Sequence, residues 1–366
     1  MNPSTYISLV SFPGLGIGEF PVNRLAFRLF GMDIMWYGVI ICFGILAAFT
    51  YFAWRANGAG INFDNVLDYT LFTVPIGVLG ARLYYVLFSL SDHSYSSLWD
   101  VLNPRDGGLA IYGGILFGAL TVFFVSKHKK HSFLLITDCL VPGVMLAQAI
   151  GRWGNFMNVE AYGGETTLPW RMGIRKLGMS QIVCVHPTFL YESLWNVIGF
   201  ILINIFYKKK KYNGQIFLAY MGWYGLGRMF IEGLRSDSLW LIPGRIRVSQ
   251  LLAFLLFVVS VTLLVILNVR WKKLVHEGAL TENSVADVSV LFGIRKPKSH
   301  LTETGEVEFN TEEFERLNAI EDSEAKRKAM AKNPFVPTSE FDAVKEESPA
   351  DASDKTEKPE EENDEE

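Results

Sequence analysis

The chain has only three cysteines in 366 residues, Cys42, Cys139 and Cys184, and they show no CxxC spacing. The number is odd and the first two fall inside apolar runs, so neither a disulfide framework nor a zinc site is expected. No Ser-His-Asp pattern, HExxH, P-loop or GxGxxG stands among its polar motifs. That argues against a hydrolase of common type, a metalloprotease and a nucleotide-driven pump. The first 30 residues hold Arg24 and Arg28 together with Pro13, Gly14, Gly16 and Gly18, with no short apolar core before a small-residue cleavage site. A removable signal peptide is therefore not expected.

What the sequence has in quantity is apolar residues, half of the total, gathered into long runs rather than spread at amphipathic spacing. Such runs belong in a bilayer. Crossing a hydrocarbon core of about 30 Å takes ~20 mostly apolar residues in a helix. Runs of that order lie at 34–54, 66–89, 109–126, 133–150, 187–207, 214–233 and 249–269. The expected fold class is an all-α polytopic transmembrane helical bundle of about seven spans.

The net charge of −4 conceals a division: 25 of the 38 acidic residues follow Leu274, against 11 of the 34 basic ones. From about Thr281 the chain is polar, acidic and poor in aromatics, ending in EKPEEENDEE. We expect a membrane domain over 1–273 and an acidic, largely disordered cytoplasmic tail over 274–366, with a short helix admissible at 310–333. Alternate loops carry Arg55; Lys127, Lys129 and Lys130; Lys208 to Lys211; and Arg270, Lys272 and Lys273. Positive charge in short loops marks the cytoplasmic side, which puts the N-terminus and the segments 90–108, 151–186 and 234–248 outside. The outer segments carry Arg105, Arg152, Arg171, Arg175, Arg235, Arg245 and Arg247, and Lys176 as their lysine. Arginine grips carboxylate or phosphate bidentately where lysine cannot, so the outer arginines read as placed for geometry.

Three motifs carry chemistry. GRWGNFMNVEAYGG, Gly151 to Gly164, follows the fourth run with Arg152, Asn155, Asn158 and Glu160 between glycines that let backbone approach a ligand. Arg and Asn suit an anionic oxygen, and Glu can align the Arg or accept a proton; the plain alternative is a re-entrant turn satisfying its own hydrogen bonds. YGLGRMFIEGLRSD sets Tyr224, Arg228, Glu232 and Arg235 on one helix face, as an internal Arg228–Glu232 pair or as an anion grip. GGLAIYGGILFG places Tyr112 between Gly107, Gly108 and Gly113, Gly114, where the glycines alone are explained by close helix packing. HPTFLYESLWN opens the fifth span, with His186 a capping or hydrogen-bonding group and Glu192 downstream. Arg82, inside the second run, needs a partner, for which Glu160 and Glu192 are the candidates; Tyr37 is an interfacial anchor or a cavity wall.

Together these blocks, in this order over about residues 10–270, resemble the bacterial phosphatidylglycerol–prolipoprotein diacylglyceryl transferases, GRWGNFMNVEAYGG being similar to their signature. The resemblance implies transfer of the sn-1,2-diacylglyceryl group of phosphatidylglycerol to the lipobox cysteine of a preprolipoprotein signal peptide. The products are a thioether and glycerol 1-phosphate, and the setting is a multi-pass protein of the bacterial plasma membrane. By motif match, Arg152 and Arg228 hold the phosphoryl group, and Asn155, Asn158, Glu160 and Gly163 complete the signature site. Glu232 and Arg235 support the sixth-span side, and Tyr37 lines the cavity. Neither metal nor soluble cofactor is implied, and no nucleic acid; the partners are the two substrates and the bilayer. Gram-negative members carry a histidine where Tyr112 stands here. Tyr112, grouped with Arg152, Arg228 and Glu160 as catalytic, then reads as a hydrogen-bond donor or positioning group, with the thiolate formed by Glu160 or beside the arginines. The alternative is a transporter or flippase for an anionic lipid; such proteins usually contain internal repeats, and no convincing one is found here.

Overall fold

Long apolar runs fold as helices because no water is available in a bilayer to satisfy open backbone. In the computed structural model they become α1 (Trp36–Gly58), α2 (Phe63–Ser89), then a short α3 (Leu98–Leu102), α4 (Ile111–His128), α5 (Phe133–Asn158), α6 (Thr188–Tyr207), α7 (Gln215–Leu234) and α8 (Val248–His276). The structure describes residues 7–90, 95, 97–103, 107–176, 181–235, 240–242, 246–281 and 284–294. These lie in one compact unit, Met1–Lys296. Arg105, Arg245, the side chain of Lys176, the helix at 310–333 and the tail from 295 onward lie outside the described residues.

Six of these helices, α1, α2, α4, α5, α6 and α8, are long and apolar enough to cross a membrane. The seventh expected span is α7, whose 20 residues have the length; Gly222, Gly225, Gly227, Arg228 and Glu232 lower its mean hydropathy. The bundle carries apolar side chains on its outside, such as Phe43, Leu71 and Val269, each more than half exposed, as lipid contact requires. The helix α5 packs against α1, α4, α6 and α7 and is half buried over its apolar window. Close approach relies on glycine: a side chain at Gly143 would strike the backbone of Ala48 in α1, and one at Gly225 the backbone of Ala253 in α8.

One end of the bundle carries strands that the sequence reading did not separate from their surroundings. An antiparallel sheet of order β2-β1-β5-β6 joins β1 (Ile7–Phe12) and β2 (Ile17–Asn23) to β5 (Met172–Lys176) and β6 (Val183–Val185). Two hairpins, β3 (Leu25–Leu29) with β4 (Met32–Met35) and β7 (Trp240–Ile242) with β8 (Ile246–Arg247), accompany it. The sheet buries Val10, Val22, Met172, Ile174 and Val185 against Val159 and Phe189, at the ends of α5 and α6. It thereby holds residues 159–176 and 181–187 over the helix ends. Strands of two to seven residues leave little periodicity to read beside runs of twenty.

At the other end the described residues 284–294 have defined structure within the stretch expected to belong to the tail. Residues 284–294 fold back, with Ala286 and Leu291, in α9 (Val288–Leu291), buried against Tyr212, Leu267 and Trp271. Backbone bonds from Ala286 to Lys211 (2.9 Å) and from Asn213 to Ala286 (3.0 Å) fix that return. Apolar residues at 285, 286, 288, 290 and 291 give this stretch something to bury, which the acidic composition around it concealed.

Candidate functional site

The polar signature is helical for most of its length. The helix α5 runs eight residues past the expected end at 150 and includes Gly151 to Asn158. Gly154 is buried there against the Tyr37 ring, where a methyl group would come within 2.8 Å of the ring. The helix stops at Val159 with φ 49° and ψ 53°, a left-handed conformation that β-branched residues rarely adopt, and Ala161 repeats it with φ 55°. Burial of the Val159 side chain in the sheet core offsets that strain, and the reversal returns Glu160 over the last turn. Its Oε1 accepts from Asn155 Nδ2 at 3.0 Å and from Asn158 Nδ2 at 3.1 Å.

Arg152, on the same turn, donates to Asn155 Oδ1 at 3.4 Å and meets Glu192 Oε2 at 2.5 Å through Nη2. Glu192 is the hub of the site. Its Oε1 lies 3.1 Å from Arg228 Nη1 and 3.8 Å from Arg235 Nη1, so guanidiniums from α5, α7 and the residue capping α7 surround one carboxylate. Arg228 also binds Glu232 Oε2 at 2.6 Å, one turn on. The carboxylates are deep, at 7% and 2% side-chain exposure for Glu192 and Glu232, whereas Arg152, Arg228 and Arg235 keep 23%, 18% and 13%. An approaching anion would therefore meet the guanidiniums first. Arg247, at the start of α8, donates to the Glu232 carbonyl.

Gly163 forms an isolated bridge with Arg235, and Gly164 N–H donates to Leu234 O at 2.8 Å, tying the signature to the end of α7. A side chain at Gly163 would crowd His186 Cβ (2.6 Å) and the Leu234 carbonyl (2.9 Å), so this contact demands glycine. The Tyr37 hydroxyl lies close enough to Glu160 and Arg152 to feel both charges, and Tyr224 senses Arg228, Arg152 and Glu192. The structure thus gathers Tyr37, Arg152, Asn155, Asn158, Glu160, Gly163, Arg228, Glu232 and Arg235. Tyr112 lies at the first turn of α4, 42% exposed, its hydroxyl 3.4 Å from Ser249 Oγ on α8 and near enough to Tyr224 to interact with it electrostatically.

Two expectations change. Arg82 takes neither Glu160 nor Glu192 as partner: it is 4% exposed and donates to the carbonyls of Asp100 (2.7 Å), Val101 (3.0 Å) and Gly107 (2.7 Å). Gly107 and Gly108 have φ of 80° and 64°, which turns their carbonyls toward it. A cluster of carbonyl dipoles can neutralise a buried arginine without a carboxylate. Glu192 is the residue that sequence reasoning underrated. The available signal was a carboxylate in an apolar helix start facing several outer arginines that needed a counter-charge. Among the described residues no three His, Cys, Asp or Glu side chains gather as a metal site would require.

The fold and site define a multi-pass membrane protein with a cluster of guanidiniums around Glu192 at one end of the bundle. Residues 24–266 match the family model described as prolipoprotein diacylglyceryl transferase. Among similar proteins, the phosphatidylglycerol–prolipoprotein diacylglyceryl transferase of Finegoldia magna is 43% identical over 253 residues, covering 69% of this chain and 97% of its own length. The proteins of the same name from Clostridium kluyveri and Enterococcus faecalis are 42% and 43% identical over 256 residues, covering 69% and 67% of this chain and 99% and 90% of their own. The chain belongs to the prolipoprotein diacylglyceryl transferase family.

Proposed function

We propose that this chain transfers the sn-1,2-diacylglyceryl group of phosphatidylglycerol to the lipobox cysteine of a preprolipoprotein, the first step of bacterial lipoprotein maturation. The observation that carries the reading is the meeting of Arg152, Arg228 and Arg235 around Glu192. Three guanidiniums held by one carboxylate form a ready cradle for a phosphodiester. The cysteine thiolate attacks the C3 methylene of the diacylglyceryl group; a C–S bond forms and the C–O bond to phosphate breaks. Glycerol 1-phosphate leaves with the bonding pair, and Arg152 and Arg228 offset the charge that grows on it. Glu192 and Glu232 position those two arginines, and Asn155 and Asn158 orient Glu160, which is exposed and takes the thiol proton. Tyr37 lines the cavity, and Tyr112 positions substrate by hydrogen bonding.

The lysine-rich ends of the helices face the cytoplasm in this reading, so the site opens to the outer leaflet of the bacterial plasma membrane. The N-terminus is outside and the acidic tail inside. The test is to incubate purified full-length protein with phosphatidylglycerol vesicles and a lipobox peptide. Glycerol phosphate release with a matching mass gain on the cysteine is expected. Lipid binding without either product would overturn the transferase reading in favour of a lipid transporter.

A further inference from the structure

The ends of α1 and α6 far from the arginine cluster border an open cavity of about 540 Å³, lined by Trp54, Arg55, Tyr207, Lys208, Lys210 and Asn213 among others. Tyr37 of the first site and Arg55 here are both on α1, 18 residues apart, which is roughly 27 Å along a helix at 1.5 Å per residue. The two places are therefore separate.

Arg55 is fixed before any ligand arrives. Its Nε donates to the Tyr51 hydroxyl at 2.9 Å, its Nη2 to Asn204 Oδ1 at 2.6 Å, and its Cζ lies 3.8 Å from the Tyr207 ring centroid and 4.3 Å from that of Trp54. Tyr51 in turn donates to the same Asn204 oxygen at 2.7 Å. No carboxylate pairs with Arg55 or Lys208 among the described residues, whereas Lys129 and Lys210 at this end each meet one. Lys210 is spoken for by the fully buried Asp138 at 3.2 Å and donates to Asn213 Oδ1 at 3.2 Å. Arg55 Nη1 has no partner among the described residues. A guanidinium locked by aromatic faces and two oxygens, with one donor edge open, is organised for an anion rather than left to snorkel.

The cavity's other wall shows what kind of anion. Trp54 is 61% exposed on the lipid side, and Ala59, Leu135 and Val285 line the cavity with it. Val285 belongs to the segment that returns after α8 and is hydrogen-bonded to Lys211 and Asn213 through Ala286. A site with a basic floor, an apolar lipid-facing side and a place at the helix ends suits a phosphate carried on an acyl glycerol.

We propose that Arg55, with Lys208, binds the headgroup phosphate of an anionic phospholipid in the leaflet opposite the transferase site. It would be a second lipid site, bound and not turned over. The probes are dioleoylphosphatidic acid, dioleoylphosphatidylcholine and inorganic phosphate, titrated onto the full-length protein in neutral detergent with bound molecules counted by native mass spectrometry. Phosphatidic acid should bind wild type at least tenfold more tightly than Arg55→Gln, with phosphatidylcholine much weaker and Arg55→Lys intermediate. Arg152→Ala should retain the Arg55-dependent lipid, which separates this site from the first. Equal phosphatidic acid binding by Arg55→Gln and wild type, or loss of that lipid in Arg152→Ala alone, would overturn the proposal. Inorganic phosphate that binds in an Arg55-dependent way and displaces the lipid at equal concentration would overturn the lipid source in favour of a soluble phosphate. If Arg55→Gln is not monodisperse, the exposed Lys208→Gln carries the same comparison with a smaller expected loss, of about threefold, and no loss there would count against the proposal.

Discussion

The two ends of the bundle use positive charge differently. At one end arginines from separate elements converge on shared carboxylates, Arg152, Arg228 and Arg235 on Glu192, with their guanidiniums still partly exposed. At the other end the ammonium of Lys210 meets the fully buried Asp138, and that of Lys129 meets Asp68 at 2.5 Å and Asn65 at 2.7 Å. Asp138 also accepts the backbone N–H groups of Gly214 (2.7 Å) and Phe217 (2.8 Å), closing the turn into α7. His131, between α4 and α5, belongs to that framework: burial first and the Lys129 charge second lower its pKa, so it stays neutral at pH 7, 3.2 Å from the Tyr69 hydroxyl. The lysine end is thus a structural clasp, while the arginine end keeps its guanidiniums partly exposed, as the proposed function requires. Arg55, which meets no carboxylate among the described residues, is the residue assigned to the proposed second lipid site.

If this division is right, substitutions at the arginine end should remove turnover and leave folding, and those at the clasp should do the reverse. The largest effect is expected for Arg152→Ala and Arg228→Ala, each lowering kcat by about 10³-fold or more, as for loss of a group that stabilises developing charge. Release of glycerol phosphate measures it; near-normal rates would break the comparison. Glu192→Gln keeps the shape and one acceptor oxygen but releases the arginines from their shared charge. A loss of about 10²-fold in kcat/KM is expected from misplacement alone, with little change in Tm.

Asp138→Ala should lower stability by about 3–5 kcal/mol by leaving Lys210 buried without its counter-charge. Thermal unfolding in detergent reads the change, and the fraction that remains folded should keep its specific activity. Truncation gives a smaller, graded contrast. A chain ending at Ile294 should match the full-length protein, whereas one ending at Lys273 loses the burial of Ala286 and Leu291 against Trp271 and should melt earlier. Tyr112→Phe is expected to have the least effect, at most a few-fold on KM, since among the described residues the hydrogen bond of its hydroxyl is the long 3.4 Å contact with Ser249.

Much of this contrast could be read in the chain itself. Long apolar runs imposed the helices, and the preference for arginine in one set of loops and lysine in the other separated the two ends before any contact was known. Arg228 and Glu232 were legible as neighbours because four residues make one helical turn. The partner of Arg82 was not, since backbone carbonyls supplied by the turn at Gly107 leave no mark in residue identity. Glu192 was visible as a carboxylate but not as a hub, because the site is assembled from α5, α6 and α7 and long-range pairing has no periodicity. The end of α5 was not legible for a local reason: the apolar run stops at 150, but the polar turns after it stay helical, with Gly154 packed against Tyr37, and the break falls on Val159.

The central claim is that Arg152 and Arg228 act as one phosphate-holding unit through Glu192. A double-mutant cycle with Arg152→Lys and Arg228→Lys on kcat/KM tests it most directly, since lysine keeps the charge and loses the fork. One unit predicts that the double variant loses far less than the product of the two single losses, because the first substitution already dismantles the cradle. Losses that multiply would show two independent arginines and contradict the account.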